Sequence, residues 1–214
     1  MIRKGQSESS IISQIGTAYR YWFIAIVNPG KTFEAFKSDP YKLTISLWIL
    51  FLFSLMYSFT SFILYSVKVL PAIDPWLPIA KEQYYLYQTF WTIPWGLATA
   101  TMMAGVAHII AVLGRQRSST FTFEDAMAVN AIAWVIPSFV FMWLPETLVV
   151  PFYAGPPWPS WLDVLRLSVL APVWQVILIV MGMRKTHAVS WRRGIIIGLI
   201  AVALSFIMFL PFMR

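Results

Sequence analysis

The chain contains no cysteine, which excludes disulfides, thiolate metal ligands and cysteine nucleophiles and leaves the redox compartment open. Charge is scarce as well. Only 12% of the 214 residues are Asp, Glu, Lys or Arg, about half the share a water-soluble domain carries. Histidine occurs twice, and none of the nine acidic residues falls clearly inside an apolar run. HExxH, GxSxG, a pair of carboxylates within a hydrophobic segment and a glycine-rich phosphate loop are all missing from the sequence. The chain is therefore read as no enzyme, with no catalytic residue, cofactor or metal site.

What fills the chain instead is apolar: 59% hydrophobic residues, 17% aromatic, mean hydropathy +0.70. Five runs are long enough to cross about 30 Å of hydrocarbon at roughly 1.5 Å per helical residue. They lie near 44–67, 90–113, 127–149, 164–183 and 194–213. The expected fold class is all-α, a polytopic membrane protein. A bundle of five transmembrane helices (44–214) follows a cytosolic N-terminal region (1–43) with an amphipathic interfacial helix.

Orientation follows from the basic residues, which resist translocation. Arg3, Lys4, Arg20, Lys31, Lys37 and Lys42 precede the first run, Arg115 and Arg117 join the second to the third, and Arg184, Lys185, Arg192 and Arg193 join the fourth to the fifth. Only Lys68, Lys81, Arg166 and Arg214 fall on the other side. This split predicts a cytosolic N-terminus and a C-terminus outside or in a lumen. The basic residues flank apolar runs, so the net charge of +7 points to anionic lipid headgroups rather than nucleic acid. Residues 11–27 contain Gln14 and Arg20 and no small-residue cleavage site follows, so no signal peptide is expected to be removed. Trp22, Trp48 and Trp191 are expected at the cytosolic interface, and Trp76, Trp91, Trp95, Trp143, Trp158 and Trp161 at the other.

Before the first run, residues 11–27 place Ile11, Ile12, Ile15, Tyr19, Trp22, Phe23 and Ile26 at helical spacing, largely opposite Ser13, Gln14, Thr17 and Arg20, as an in-plane helix requires. The next stretch, NPGKTFEAFKSDP (28–40), holds Asn28-Pro29 and Asp39-Pro40. Each reads as an N-cap followed by proline in the first helical turn. The basic and aromatic residues Lys31, Phe33, Phe36, Lys37 and Lys42 form the candidate cytosolic surface, meeting lipid headgroups or a soluble protein partner. Thr122 ahead of Phe123, Glu124 and Asp125 reads as an approximate capping box for the third run.

Within lipid, small residues let helices approach closely. Ser54, Ser58 and Ser61 mark such a stripe in the first run, Gly96, Ala100 and Ala104 in the second, Gly194 and Gly198 in the fifth. A homo-oligomer contact at Gly194 and Gly198 is weaker as a reading than packing inside the bundle. Three polar residues, His108, Asn130 and Gln175, fall inside the runs in the half nearer the cytosol. Because each is costly against lipid, they are expected to share a polar cluster, either as interhelical hydrogen bonds or as the lining of a solute pathway.

Four passages, NPGKTFEAFKSDP, AHIIAVLG, FTFEDAMAVNAIAWVIPS and GMRKTHAVSWRRGIIIGLIAVAL, occur in an order and spacing that resemble the Yip family, integral membrane proteins named for interaction with Ypt and Rab GTPases. The resemblance implies a non-enzymatic membrane scaffold or adaptor that binds protein partners through cytosolic segments. The short N-terminal region, without a long acidic or proline-rich arm, is similar to prokaryotic-type relatives and so to a cytoplasmic membrane. The alternative is a small-solute, ion or lipid transporter using the cavity near His108, Asn130 and Gln175.

Overall fold

The computed structural model of the chain describes residues 11–71, 74–75, 77–113, 122–149, 161, 169–187 and 189–210. Among the described residues the regular structure is entirely helical. Helix α1 spans Ile11–Val27 and stops where Asn28, ahead of Pro29, is driven out of the helical region. Helix α2, Pro29–Ser38, starts at once: Asn28 Oδ1 accepts from Lys31 N at 3.1 Å, with proline in the first turn. It ends at Asp39, extended ahead of Pro40.

The long helices follow. Helix α3 is Lys42–Ser66 and α4 is Tyr84–Val112, entered through a 3-10 turn at Lys81–Gln83. Helix α5, Phe123–Ser138, runs through a π segment, Phe139–Trp143, into α6, Leu144–Val149. The widened turn comes just after Pro137, whose missing N–H and bulky ring break the regular ladder. Helix α7 is Leu170–His187 and α8 is Trp191–Phe209. Four helical stretches among the described residues are long and apolar enough to cross a membrane: Lys42–Ser66, Lys81–Val112, Phe123–Leu148 and Trp191–Phe209. In α7 the basic Arg184 and Lys185 share an 18-residue helix with the apolar part, and residues 164–168 of the fourth expected run lie outside the described residues.

Helix α5 is the axis of the bundle. Every residue from Asp125 to Pro137 is buried, and α1, α2, α3, α4 and α7 all pack against it. Four alanines, Ala126, Ala128, Ala131 and Ala133, thin it on several sides, which is what close packing of helices needs where lipid offers no hydrophobic drive. The outer helices turn Phe59, Phe62, Phe90, Ile109, Ile196, Leu199 and Ile207 outward. Helix α3 packs most extensively on α4, with Ser54 Oγ set against Gly96 and Ser58 Oγ donating to the Thr89 carbonyl. Gly194 and Gly198 of α8 lie on Val180 and Val176 of α7, so this pair of glycines meets a helix of the same chain. Helix α3 closes with Lys68 at φ 57, where Lys68 N and Val69 N return to Tyr65 O and Leu64 O at 3.0 Å each. That is the left-handed termination that satisfies a helix's last carbonyls.

Two expectations fail at the start of the bundle. Helix α3 begins at Lys42, after Tyr41, and Asp39 does not cap it. Its Oδ1 accepts from Tyr41 N and its Oδ2 from the Tyr21 hydroxyl, each at 2.8 Å, so the carboxylate ties the turn to α1. Trp22 is no interfacial indole: it is 3% exposed and meets Phe53 and Phe139 edge-on at 6.1 and 5.4 Å. Trp76, Trp158, Arg115, Arg117, Arg166 and Arg214 lie outside the described residues.

Candidate functional site

Helices α1 and α2 form a cap fixed to one end of the bundle. Ala18, Tyr21, Trp22 and Ala25 make the buried stripe of α1, which packs on α3, α5 and α2. Phe33 and Phe36, 0% and 1% exposed, project from α2, which packs on α5 and α7. This corrects the reading of Phe33 and Phe36 as cytosolic surface. Three residues apart on a ten-residue helix, they share its inner face, and Phe33 reaches the notch left by Gly182, where an added Cβ would stand 3.1 Å from Phe33 Cε1 and 2.6 Å from a Val129 methyl.

Lys42 is also withdrawn from the surface. Its ammonium pairs with Asp125, the two side chains 15% and 9% exposed. Asp125 completes the capping box as well, its Oδ2 accepting from Thr122 N at 3.0 Å while Thr122 Oγ1 accepts from Asp125 N at 3.4 Å. One carboxylate thus joins the starts of α3 and α5. Nearby, Lys185 of α7 pairs with Glu34 of α2 and holds that carboxyl below its usual range, with Lys31 adding to the effect. The Arg184 guanidinium lies 4.0 Å from the centre of the Trp191 ring, inside the range of a cation–π contact. Burial, then the hydrogen bond to Asp39 and its charge, push the Tyr21 phenol up to about 12.

Of the five residues assigned to the cytosolic surface, Lys31 and Lys37 are exposed. The outer side of α1 is divided. Ile12, Tyr19, Phe23 and Val27 form an exposed apolar arc, with Ile12 at 82% and Phe23 at 62%, while Ser13 and Arg20 mark an exposed polar one. Sequence periodicity merges the protein-facing Trp22 with the outward Tyr19 and Phe23; the fold separates them.

The three intramembrane polar residues engage different partners. Asn130, fully buried, donates from Nδ2 to the Ala126 carbonyl at 2.8 Å, and its Oδ1 is buried without a hydrogen-bond partner. Gln175 Nε2 points at Met103 Sδ at 4.0 Å. His108 meets the Phe123 ring edge-on at 6.3 Å.

At the opposite end of the bundle lies a polar group the sequence reading missed. Glu146, 2% exposed, accepts from the Tyr57 hydroxyl at 2.9 Å. Trp143 Nε1 donates to Thr60 Oγ1 at 3.1 Å, and the Thr60 and Thr147 hydroxyls are 3.2 Å apart. Glu146 lies in the last turns of the third expected run, 127–149, where the helix continues to Val149, and nothing near it in the sequence names a partner.

Long apolar helices around a buried axis, with an outward face of Phe, Ile and Leu, define an integral membrane protein. The family model described as Yip1 domain matches residues 23–213. The chain belongs to the Yip family. Comparison with curated proteins and with solved structures finds no match.

Proposed function

We propose that the chain is a five-span, non-enzymatic membrane scaffold or adaptor whose N-terminal cap, α1 with α2, is its working surface. In this reading α7 is the fourth of five crossings, the N-terminus is cytosolic, and the C-terminus lies beyond the membrane. The basic end of α7, Arg184 and Lys185, then sits on the same side as the cap, as the resistance of cations to translocation requires. In this reading the membrane is a prokaryotic cytoplasmic membrane. Partners are anionic headgroups and a protein that meets the cap from the cytosol.

The observation that carries the reading is the anchoring of the cap. A ten-residue helix with two fully buried phenylalanines and an ion pair to α7 is held as a rigid platform. Lys31 and Lys37 are left outward. Transport finds less support, since Asn130 and Gln175 are engaged with a carbonyl and a sulfur within helices that pack on one another.

Site-specific photo-crosslinking in living cells tests this. A photoreactive residue at position 37 or 38, both exposed and outside the groove between α1 and α2, is expected to give a discrete protein adduct, and one at 59 or 196 to give lipid adducts. Lipid adducts at all four positions would remove the adaptor reading. Solute flux in reconstituted vesicles that is lost on Asn130→Leu and Gln175→Leu would install the transporter in its place.

A further inference from the structure

Between α1 and α2 an open groove of about 270 Å³ is lined by Arg20, Tyr21, Ile24, Lys31, Thr32 and Ala35. We infer that this groove binds the phosphate-bearing headgroup of one anionic phospholipid, whose acyl chains lie along the apolar arc of α1. The inference rests on the placement of the cap at the membrane surface proposed above, and it names the ligand of that surface.

Three features converge on an anionic amphiphile. First, Arg20 of α1 and Lys31 of α2 both line the groove, so cations from two different helices border it and favour an anion. Second, the floor is apolar, made by Ile24, Ala35 and the Tyr21 ring, which suits a glycerol backbone better than a hydrated inorganic ion. Third, Phe23 and Val27 are exposed and flank Arg20 and Ile24 along α1, so a hydrocarbon surface starts where the groove ends. The volume fits this division. Sites that enclose a drug-sized molecule measure about 300–1,000 Å³, so a groove of 270 Å³ takes a headgroup and leaves the chains outside.

The neighbouring acids are already occupied. Asp39 accepts from the Tyr21 hydroxyl and Tyr41 N, and Glu34 pairs with Lys185. The Arg20 guanidinium, 5.6 Å from the centre of the Tyr21 ring, is exposed. It also hydrogen-bonds the Tyr21 phenol, and with five N–H donors on its fork the guanidinium can keep that contact and still meet a phosphate.

The test is native mass spectrometry of the full chain in a zwitterionic detergent, titrated separately with phosphatidylglycerol, phosphatidylcholine and inorganic phosphate. The first phosphatidylglycerol is expected to bind more tightly than phosphatidylcholine. Changing Arg20→Gln and Lys31→Gln together should weaken it by about thirtyfold, each basic group beside an anionic surface contributing roughly fivefold. Lys37→Gln, which removes the same charge from α2 away from the groove, should leave it unchanged. Ala35→Leu fills the floor at constant charge and should weaken it too, which keeps the test decisive if the double variant melts early. Equal affinity for the two lipids, an equal loss with Lys37→Gln, wild-type binding by Ala35→Leu, or displacement by millimolar phosphate would each overturn the inference. A negative result here with lone protein adducts at positions 37 and 38 would leave the adaptor reading standing.

Discussion

Replacing Gly182 by alanine tests how α2 is held to the bundle. The added Cβ would lie 2.6 and 2.9 Å from the two methyls of Val129 and 3.1 Å from Phe33 Cε1. Carbon atoms rest at about 3.5–4.0 Å, so the neighbours must withdraw by about 1 Å. Neither can do so easily: both are fully buried, and a valine on a helix has one strongly preferred rotamer. Overpacking of this kind costs about 1–3 kcal/mol, and the gain from replacing a helical glycine offsets up to about 1 kcal/mol of it. With contacts this short to a stiff valine, the cost falls in the upper half of that range, about 2–3 kcal/mol, and the expected net loss is about 1–2 kcal/mol, read as a lower melting temperature of the purified protein in detergent. Gly16 and Gly105 have nothing within 4 Å of an added Cβ, so Gly16→Ala and Gly105→Ala should be neutral or stabilising by up to about 1 kcal/mol. Val129→Ala should cost less in the Gly182→Ala background than in the wild type, because the new methyl occupies the vacated space. A Gly182→Ala protein as stable as wild type, or additive Val129 and Gly182 changes, would refute the argument that α2 seats in this notch.

Three further outcomes follow from the same geometry. Phe33→Ala should lower stability by about 3–5 kcal/mol, as large-to-small changes in a packed core do, while Lys37→Gln stays within about 0.5 kcal/mol; denaturant or thermal melts distinguish them. Asp125→Asn keeps an amide oxygen for Thr122 N but leaves Lys42 without its counter-ion, a loss of about 3 kcal/mol or more for a buried pair; adding Lys42→Met should recover part of it, checked by the same melts. Tyr21 titrates higher in the fold than in the unfolded chain, so the neutral phenol is the form the fold favours. Its contribution is whole below about pH 10 and is lost as pH rises through about 12; the melting temperature should fall across that window in wild type, and less in Tyr21→Phe.

Much of the helical plan was legible because its signals are local. Asn28 and Thr122 cap the helices that the sequence assigns to them, since an N-cap needs only a side-chain oxygen and the next turn. Asp39 carries the same local signal, yet Pro40 and Tyr41 form a turn ahead of the helix, where Asp39 Oδ1 accepts from Tyr41 N, and its Oδ2 is taken by Tyr21, eighteen residues earlier, a contact no window around Asp39 contains. Phe33, Phe36 and Trp22 show a deeper limit. In a soluble protein an apolar stripe marks the inside, but in a membrane protein apolar residues face both lipid and protein. Periodicity alone cannot separate Trp22, inside, from Phe23, outside. Small residues carry that information better. The alanines of α5 and Gly182 of α7 stand at buried, close contacts as Gly96 does, but unlike Gly96 they belong to no stripe of small residues spaced by four. Glu146 was missed for the opposite reason: proline followed by an acid looks like an exit from the membrane, and only the partner Tyr57, 89 residues away, shows it turned inward.

The absence of native cysteine makes the central claim directly measurable, because any introduced thiol is the sole one in the chain. Ser38→Cys, at the exposed end of α2, and Arg214→Cys, at the C-terminal residue, are expressed separately and treated in intact cells with a membrane-impermeant maleimide, then again after permeabilisation. Five crossings predict that Arg214→Cys is labelled in intact cells and Ser38→Cys only after permeabilisation. Labelling of both in the same compartment would contradict the account.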